Sequence, residues 1–363
     1  MKNTISSKQT AIIAGILVFA NKILTLPSLL FEYGRSDSFL ILLLMFLFDI
    51  AVLFVFFKLK QRYKTQSFFQ VLSLNWGKFF AVLIYLLLFI YFFIKILTTF
   101  NVSYIYFKMQ VYHNDQKSIF LFLALAVLAI MVANGFRPLS RTIQFFYPAI
   151  LIGLLFCLLI SFANFSHPPL LFTTPFKSLI TGAYRYVFAF GDFLLLFLIM
   201  DRIEYKAEGR SQILKSVIVS MYITLVGYFL FFSIFEYTGF MHPNAVSDII
   251  VLSYEIFDIG RLDIIAVVTV MLLTFCQISL YGYVLSSILL KVFPRMTKNY
   301  SIAIVITIFL IVYGLSLNSL DSVGYFVTNF MPLISIFLQY LLPILTLTFK
   351  QRGGRYEENY KSG

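Results

Sequence analysis

Residues Thr10 to Phe31 read TAIIAGILVFANKILTLPSLLF, and nearly all of them are apolar. As a helix, this stretch is long enough to cross the ~30 Å hydrocarbon core of a membrane. The polar pair Asn21–Lys22 falls near its middle, and Pro27 follows shortly after. A lysine at mid-membrane depth is costly and usually marks a functional position. The pattern predicts a helix broken at Ala20–Lys22; the alternative is a continuous helix whose Lys22 faces a water-filled crevice.

The composition of the whole chain is that of a polytopic membrane protein. Of its 363 residues, 60% are hydrophobic and only 12% are charged, and the mean hydropathy is +0.90. A soluble domain carries about 25% charged residues. The two cysteines, Cys157 and Cys276, both lie within apolar runs, which is typical of buried apolar side chains. The sequence therefore predicts neither a disulfide framework nor a metal site, and it predicts no cofactor.

Ten apolar runs follow one another along the chain and predict an all-α fold with ten transmembrane helices. The runs are Thr10–Phe31, Ser38–Phe57, Phe79–Tyr106, Ser118–Asn134, Thr142–Phe162, Leu179–Met200, Ile213–Tyr237, Asp263–Leu290, Tyr300–Leu317 and Tyr325–Phe349. We expect a single transmembrane domain over residues 1–363, with a first repeat at about 10–162, a second at about 179–349 and a tail at 350–363.

The lysines and arginines predict the orientation in the membrane. An even number of spans places both termini on one side, and the segments on that side hold 20 of the 28 basic residues. Because basic residues are enriched in cytoplasmic segments, we predict that both termini and the tail are cytoplasmic. The same asymmetry accounts for the net charge of +12 without a nucleic-acid partner.

The two halves of the chain share an interruption. Five spans per half is an odd number, so the second half runs inverted relative to the first. The sixth span, AYRYVFAFGDFLLLFLIM at Ala183–Met200, is then the counterpart of the first, and Gly191–Asp192 interrupts its centre. Paired interruptions in inverted repeats predict a ligand site at the membrane midplane, where freed N–H groups favour an anionic group. The alternative for Gly191 is close helix packing.

The predicted ligand-binding residues flank these two interruptions. They are Phe19, Ala20, Asn21 and Lys22 in the first span, and Phe188, Phe190, Gly191 and Asp192 in the sixth.

Four ionisable residues lie well inside the predicted spans. Lys22 and Asp192 are expected to pair or to share a ligand, because buried charges are rarely left alone. Asp49 and Lys95 are then expected to form a second, structural pair between the second and third spans. Near the outer ends, Arg261 and Asp263 are expected to orient an outer connection.

Six short motifs resemble a known family. They are ISSKQ at Ile5–Gln9, ANKILTLP at Ala20–Pro27, PLSR at Pro138–Arg141, FGDFLLLF at Phe190–Phe197, GRLD at Gly260–Asp263 and YGY at Tyr281–Tyr283. Their order and spacing from about Ile5 to Phe349 are similar to those of GerAB-like spore germination proteins. These are the B subunits of endospore germinant receptors, within the amino acid–polyamine–organocation transporter superfamily.

The resemblance implies a LeuT-like fold of five plus five helices, with the first and sixth helices broken. It also implies a place in the spore inner membrane, an A-type membrane subunit and a C-type lipoprotein as partners, and sensing of a small nutrient such as an amino acid. Two residues differ from the family pattern. Lys22 stands where small residues are usual, and Asp192 stands where glutamate is usual. Lys22 is expected to fill the pocket, to replace a coupling cation or to bind a carboxylate.

Two functions follow from these patterns. The first is a germinant-receptor subunit that binds a nutrient and signals to partners. The alternative is a proton-coupled amino-acid transporter, because a binding site and a transport pathway use the same architecture. An enzyme is not predicted, since the sequence has no hydrolase, metalloprotease or phosphate-binding motif in a plausible context.

Overall fold

The computed structural model describes residues 4–110, 117–163, 165, 168, 172–204, 207–245, 248–250, 263–316 and 320–348. Within these ranges the regular structure is helical, apart from one isolated bridge between Ile5 and Ile203. The helices are α1 (Ser7–Phe19), α2 (Leu26–Gly34), α3 (Ser38–Arg62), α4 (Phe68–Trp76), α5 (Lys78–Gln110), α6 (Lys117–Ala133), α7 (Phe136–Ala163), α8 (Phe176–Arg185), α9 (Leu194–Leu198), α10 (Ala207–Ile234), α11 (Asp263–Val292), α12 (Lys298–Ser316), α13 (Leu320–Asn329), α14 (Met331–Ile336) and α15 (Leu342–Thr348).

Some of these helices, alone or joined end to end, are long and apolar enough to cross a membrane. In the described part of the chain, six stretches meet that criterion: Leu26–Arg62, Lys78–Gln110, Phe136–Ala163, Glu208–Ile234, Ile264–Val292 and Met331–Thr348. Shorter apolar helices cover Ser7–Phe19, Ser118–Ala133 and Lys298–Gly314. The helices follow the order of the ten predicted runs, and the first and sixth runs are divided into short pieces. The protein is an all-α, multi-pass membrane protein.

Local signals explain where several helices begin. Ser67 and Gln70 form a capping box at the start of α4: Gln70 N–H donates to Ser67 Oγ, and Ser67 N–H donates to Gln70 Oε1. This arrangement satisfies N–H groups that have no partner within the helix. Pro27 lies in the first turn of α2, where its missing N–H costs nothing. The capped α4 turns the chain from α3 back into α5.

The packing is organised around the pieces of the first and sixth spans. α1 packs extensively against α10 and also contacts α7, and α11 packs against α5. Most buried apolar side chains of the described ranges belong to one contiguous cluster, which contains all of α9. Large apolar side chains such as Phe79, Phe145 and Ile152 point outward instead. In a membrane these outward faces meet lipid, so their exposure carries no hydrophobic penalty.

Candidate ligand site at two helix breaks

The first predicted break is present at the expected residues. α1 ends at Phe19, a 3-10 turn covers Ala20–Ile23, and α2 begins at Leu26. Phe19 is fully buried at the end of α1, whereas the side chains of Ala20 and Asn21 lie outside the described part of the structure. Side chains from within the break and from α10 donate to backbone carbonyls at the break. Lys22 Nζ donates to Leu17 O at 3.2 Å, and the Tyr228 hydroxyl donates to Lys22 O at 2.8 Å.

The second predicted break is also present. α8 ends at Arg185, a 3-10 turn covers Val187–Ala189, and the chain is extended at Phe190 before α9 begins at Leu194. Gly191 has a φ of +74°, a left-handed conformation that favours glycine. A Cβ at this position would also lie 2.0 Å from Cδ of Gln339, so glycine is required for space as well. The interpretation of Gly191 as a backbone break is therefore confirmed.

Three charged side chains meet where the two breaks touch. Lys22 Nζ lies 2.6 Å from Asp192 Oδ2, and Lys95 Nζ lies 2.5 Å from Asp192 Oδ1. The Tyr281 hydroxyl donates to Asp192 Oδ1 at 2.7 Å and accepts from Gln277 Nε2 at 2.8 Å. All three charged residues are at most 4% exposed. The two lysines and Tyr281 thus satisfy both carboxylate oxygens of Asp192.

Within the described residues, Lys95 forms its ion pair with Asp192 and not with Asp49, the partner predicted for it. Lys95 Nζ binds Asp192 and donates to Phe190 O at 2.8 Å, so it serves the second break directly. Asp49 accepts a hydrogen bond from Gly191 N–H at 3.1 Å. Both residues therefore act on the backbone or carboxylate of the broken sixth span, and α3 and α5 are each tied to that span. With Asp49, the cluster holds two positive and two acidic side chains.

Aromatic rings and one amide complete the surroundings of the charges. Lys22 Nζ is 5.4 Å from the centroid of the Phe190 ring, and Lys95 Nζ is 5.3 Å from that of Phe188. Gln339 Nε2 donates to the Tyr91 hydroxyl at 2.5 Å and to Phe190 O at 3.1 Å. Gln339 Oε1 is buried and has no hydrogen-bond partner in the described structure. A buried acceptor without a partner is unusual and is available to a ligand donor.

Sequence reasoning did not find Tyr91 and Gln339. Tyr91 lies one helical turn before Lys95, so the i, i+4 spacing places both residues on the same face of α5. Gln339 lies in a π-helical turn, Phe337–Leu341, between α14 and α15. Such turns are frequent at functional sites, but the sequence of an apolar helix does not reveal them. Arg261 lies outside the described residues, as does the side chain of Asp263, which begins α11.

On the side that we predict to be outer, several side-chain hydrogen bonds hold the segment that leads into α8: Thr174 Oγ1 donates to Gly34 O, and Ser178 Oγ donates to Tyr33 O. Asp37 accepts hydrogen bonds from the backbone N–H groups of Phe172, Thr173 and Thr174, at 2.6 to 2.8 Å. Beside this contact lies an open cavity of ≈910 Å³, whose wall includes Phe31, Glu32, Arg35 and Thr173.

On the side that we predict to be inner, the sixth span is also bound at several points. Ile5 N–H donates to Arg202 O at 2.8 Å, and Glu204 N–H donates to Ile5 O at 3.0 Å. Lys60 Nζ donates to Met200 O at 2.6 Å, and Lys291 Nζ donates to Leu198 O at 3.2 Å. The charge cluster between these two sets of contacts is almost fully buried.

Two comparisons identify the family and the fold. The profile of a family described as spore germination protein, Spore_permease, matches residues 4–321. The chain belongs to the spore germination protein family. Membership of this family confirms the resemblance read from the six motifs. Comparison with curated protein sequences gives no match.

A solved structure of MhsT in complex with L-phenylalanine is similar to this spore germination protein in fold. The TM-score is 0.61 at 13% sequence identity, and the alignment covers 93% of this chain and 96% of that chain. MhsT has the LeuT fold, so the predicted fold class is confirmed. At this identity the likeness describes the fold alone.

Proposed function

We propose that this chain is the B-type subunit of a spore germinant receptor, which binds a small nutrient between the two helix breaks. The observation that carries the proposal is the meeting of both breaks at Lys22, Lys95 and Asp192, in a member of the spore germination protein family. Buried charges in membrane helices usually mark ligand sites or pathways. The proposal includes the residues flanking the breaks, Phe19 to Lys22 and Phe188 to Asp192, as the lining of the site.

The polar groups at the breaks match an amino acid. The ammonium groups of Lys22 and Lys95 complement a carboxylate, provided that the ligand displaces part of the Asp192 interaction. Gln339 Oε1, which has no partner in the described structure, is an acceptor for a ligand ammonium. Phe188 and Phe190 offer apolar surface beside these groups. Binding would thus replace contacts within the protein by contacts to the ligand, and that exchange is what partner subunits would detect.

The proposal also includes the partners and the location. An A-type membrane subunit and a C-type lipoprotein would receive the change at the helix breaks, in the spore inner membrane and with both termini of this chain in the cytoplasm. Co-purification of all three proteins from spore membranes tests this part of the proposal.

The site is tested in spores whose nutrient response depends on this chain. Lys22→Ala should abolish the response while immunoblots show a normal amount of protein. Lys215→Ala is the matched control, because Lys215 is exposed and remote from the helix breaks. An unchanged dose–response curve for Lys22→Ala at normal protein level would exclude the proposed role of Lys22.

A proton-coupled amino-acid transporter is the second candidate. A buried carboxylate between two lysines, in a fold shared with MhsT, favours it. Uptake of radiolabelled amino acids into proteoliposomes, with and without a pH gradient, separates the two functions. A receptor subunit should bind the amino acid without accumulating it inside the vesicles.

A further inference from the structure

A second charged cavity lies away from the helix breaks, on the side that we predict to be cytoplasmic. It has a volume of ≈180 Å³ and lies between the start of α7, the turn Met200–Arg202, the end of α11 and the start of α12. Since a water molecule occupies ~30 Å³ in the liquid, there is room for several waters or for a small polar group. We call this cavity the inner basic pocket.

The charges around the inner basic pocket are unbalanced. Its wall includes Arg202, Lys291 and Lys298. Among the described residues that line it or pair with its cations, the one carboxylate is Asp201, which lies 3.4 Å from Lys291 Nζ and 3.5 Å from Arg202 Nε. Three cations against one carboxylate leave an excess of two positive charges around a concave surface. An anion placed between them would offset their mutual repulsion.

Hydrogen-bond donors stand beside these charges. The hydroxyl-bearing residues Tyr283 and Ser287 also line the pocket, and the Tyr283 ring packs on Phe136 at a centroid distance of 4.8 Å. Phe136 is the first residue of α7, whose initial N–H groups and positive dipole end favour anions. Lys298 Nζ lies close to this helix start. A Cβ added to Gly135, whose φ is +97°, would be only 3.4 Å from that nitrogen.

We propose that the inner basic pocket binds an oxyanion of the phosphate class, supplied either by an anionic lipid headgroup or by free phosphate. Basic pockets between membrane helices on the cytoplasmic side suit phosphate headgroups, and a phosphate group carries the negative charge that the excess requires. This inference does not depend on the proposed nutrient site. Its consequence does reach that site, because Arg202 lies in the turn that follows the broken sixth span and its carbonyl accepts a hydrogen bond from Ile5 N–H. A bound phosphate group would join α7, α11 and α12 to the inner end of that span.

The first test compares two sources of phosphate on the full-length protein. In an uncharged detergent, sodium phosphate is titrated against sodium chloride of equal ionic strength while the Tm is measured. In nanodiscs, phosphatidylglycerol is compared with phosphatidylcholine. Binding should raise the Tm by about 2–4 °C, since a ligand that binds the folded state stabilises it. A Tm shift with sodium phosphate alone identifies free phosphate as the bound group, and a Tm shift with phosphatidylglycerol alone identifies a lipid headgroup. A Tm shift with both shows that the pocket accepts a phosphate group from either source. No shift with either source overturns the proposal.

The second test assigns the effect to the pocket. Arg202→Gln and Lys298→Gln should each remove most of the Tm shift. Lys215→Gln should keep it, because Lys215 is an exposed lysine outside the pocket on the same predicted side. An equal loss in all three variants would overturn the proposal, since it would mean attraction to surface charge in general.

Two further measurements test the proposal even if Arg202→Gln and Lys298→Gln prevent folding. Arg202→Lys keeps the charge and should retain the Tm shift. Native mass spectrometry of the unaltered protein should show one retained phosphatidylglycerol that phosphatidylcholine does not replace. Ready exchange between the two lipids, together with no effect of free phosphate, would contradict the proposal.

Discussion

Lys22 Nζ lies 2.6 Å from Asp192 Oδ2, although 170 positions separate the two residues along the chain. This contact joins the first helix break directly to the second. Lys95 occupies the other oxygen of the same carboxylate, so Asp192 is shared between two cations. The breaks are therefore held together by charge as well as by packing. Removing the carboxylate leaves two lysines without their partner, whereas removing one lysine leaves the carboxylate paired with the other.

Asp192→Asn should destabilise the protein more than Lys22→Met. The first change leaves two buried ammonium groups without their carboxylate, and stranding a buried charge commonly costs ~3–5 kcal/mol. The second change leaves Asp192 paired with Lys95 and Tyr281. Thermal unfolding of the purified single and double variants measures the coupling, which we expect at ~0.5–3 kcal/mol. Strictly additive losses would show that the two residues do not interact, and equal losses in the two single variants would contradict the predicted ranking.

Tyr281→Phe should lower stability by ~1–3 kcal/mol, because it removes a hydrogen bond to a buried carboxylate and leaves Gln277 Nε2 without its acceptor. Tyr300→Phe is the matched control, since Tyr300 is 69% exposed and should tolerate the change. Denaturant unfolding of both variants in the same detergent gives the comparison. Equal stability of the two variants would mean that the Tyr281 hydroxyl contributes nothing to holding Asp192.

Gly191→Ala should be among the most destabilising alanine substitutions. The left-handed φ alone costs a residue with a Cβ ~1–2 kcal/mol, and the added carbon would overlap the side chain of Gln339. Gly314→Ala is the control, because a Cβ on Gly314 meets nothing within 4 Å. Gln339→Ala removes hydrogen bonds of its own, so the cost of Gly191→Ala is measured again in that background, where it should fall to the part due to φ. No cost of Gly191→Ala in the Gln339→Ala background would show that the backbone at Gly191 is unstrained by alanine.

Asp37→Leu should loosen the segment that leads into α8. Three backbone N–H groups would lose their acceptor, and a hydrogen bond of this kind typically contributes ~0.5–1.5 kcal/mol. Hydrogen exchange followed by mass spectrometry should show faster exchange at Phe172–Thr174. In the control Glu32→Gln, which alters an exposed carboxylate of α2, these amides should exchange as in the unaltered protein. Unchanged protection in Asp37→Leu would contradict this role of Asp37.

Sequence reasoning located both breaks because each one interrupts an apolar run with residues that a plain membrane helix avoids. It also predicted that Lys22 and Asp192 would meet, since two midplane charges of opposite sign need a partner. It did not predict how Asp49 and Lys95 would orient. α3 and α5 are apolar on nearly all sides, so no amphipathic face indicates how each helix is rotated about its axis. Predicting which of the four charged residues form pairs requires knowing this rotation, and the rotation is determined by tertiary packing.

Gln339 was missed for a related reason. Its position opposite Gly191 depends on the π-helical turn Phe337–Leu341, which shifts the residues that follow by about one position around the helix axis. A single glutamine in an apolar run indicates a polar contact, but its partners lie 149 to 248 positions away in the chain. The residues of a break can thus be predicted from the local sequence pattern, whereas the residues that pack against a break cannot.

The sixth span is bound by several contacts at both of its ends, and this bears on how fast a small molecule reaches the charges. Towards the side that we predict to be outer, Asp37 accepts from the backbone at Phe172–Thr174 and Ser178 donates to Tyr33 O. Towards the predicted inner side, Ile5, Lys60 and Lys291 bind the backbone of the span. A small molecule must therefore wait until several hydrogen bonds at one end have broken. We expect the rate of ligand binding to be limited by this opening step and not by diffusion.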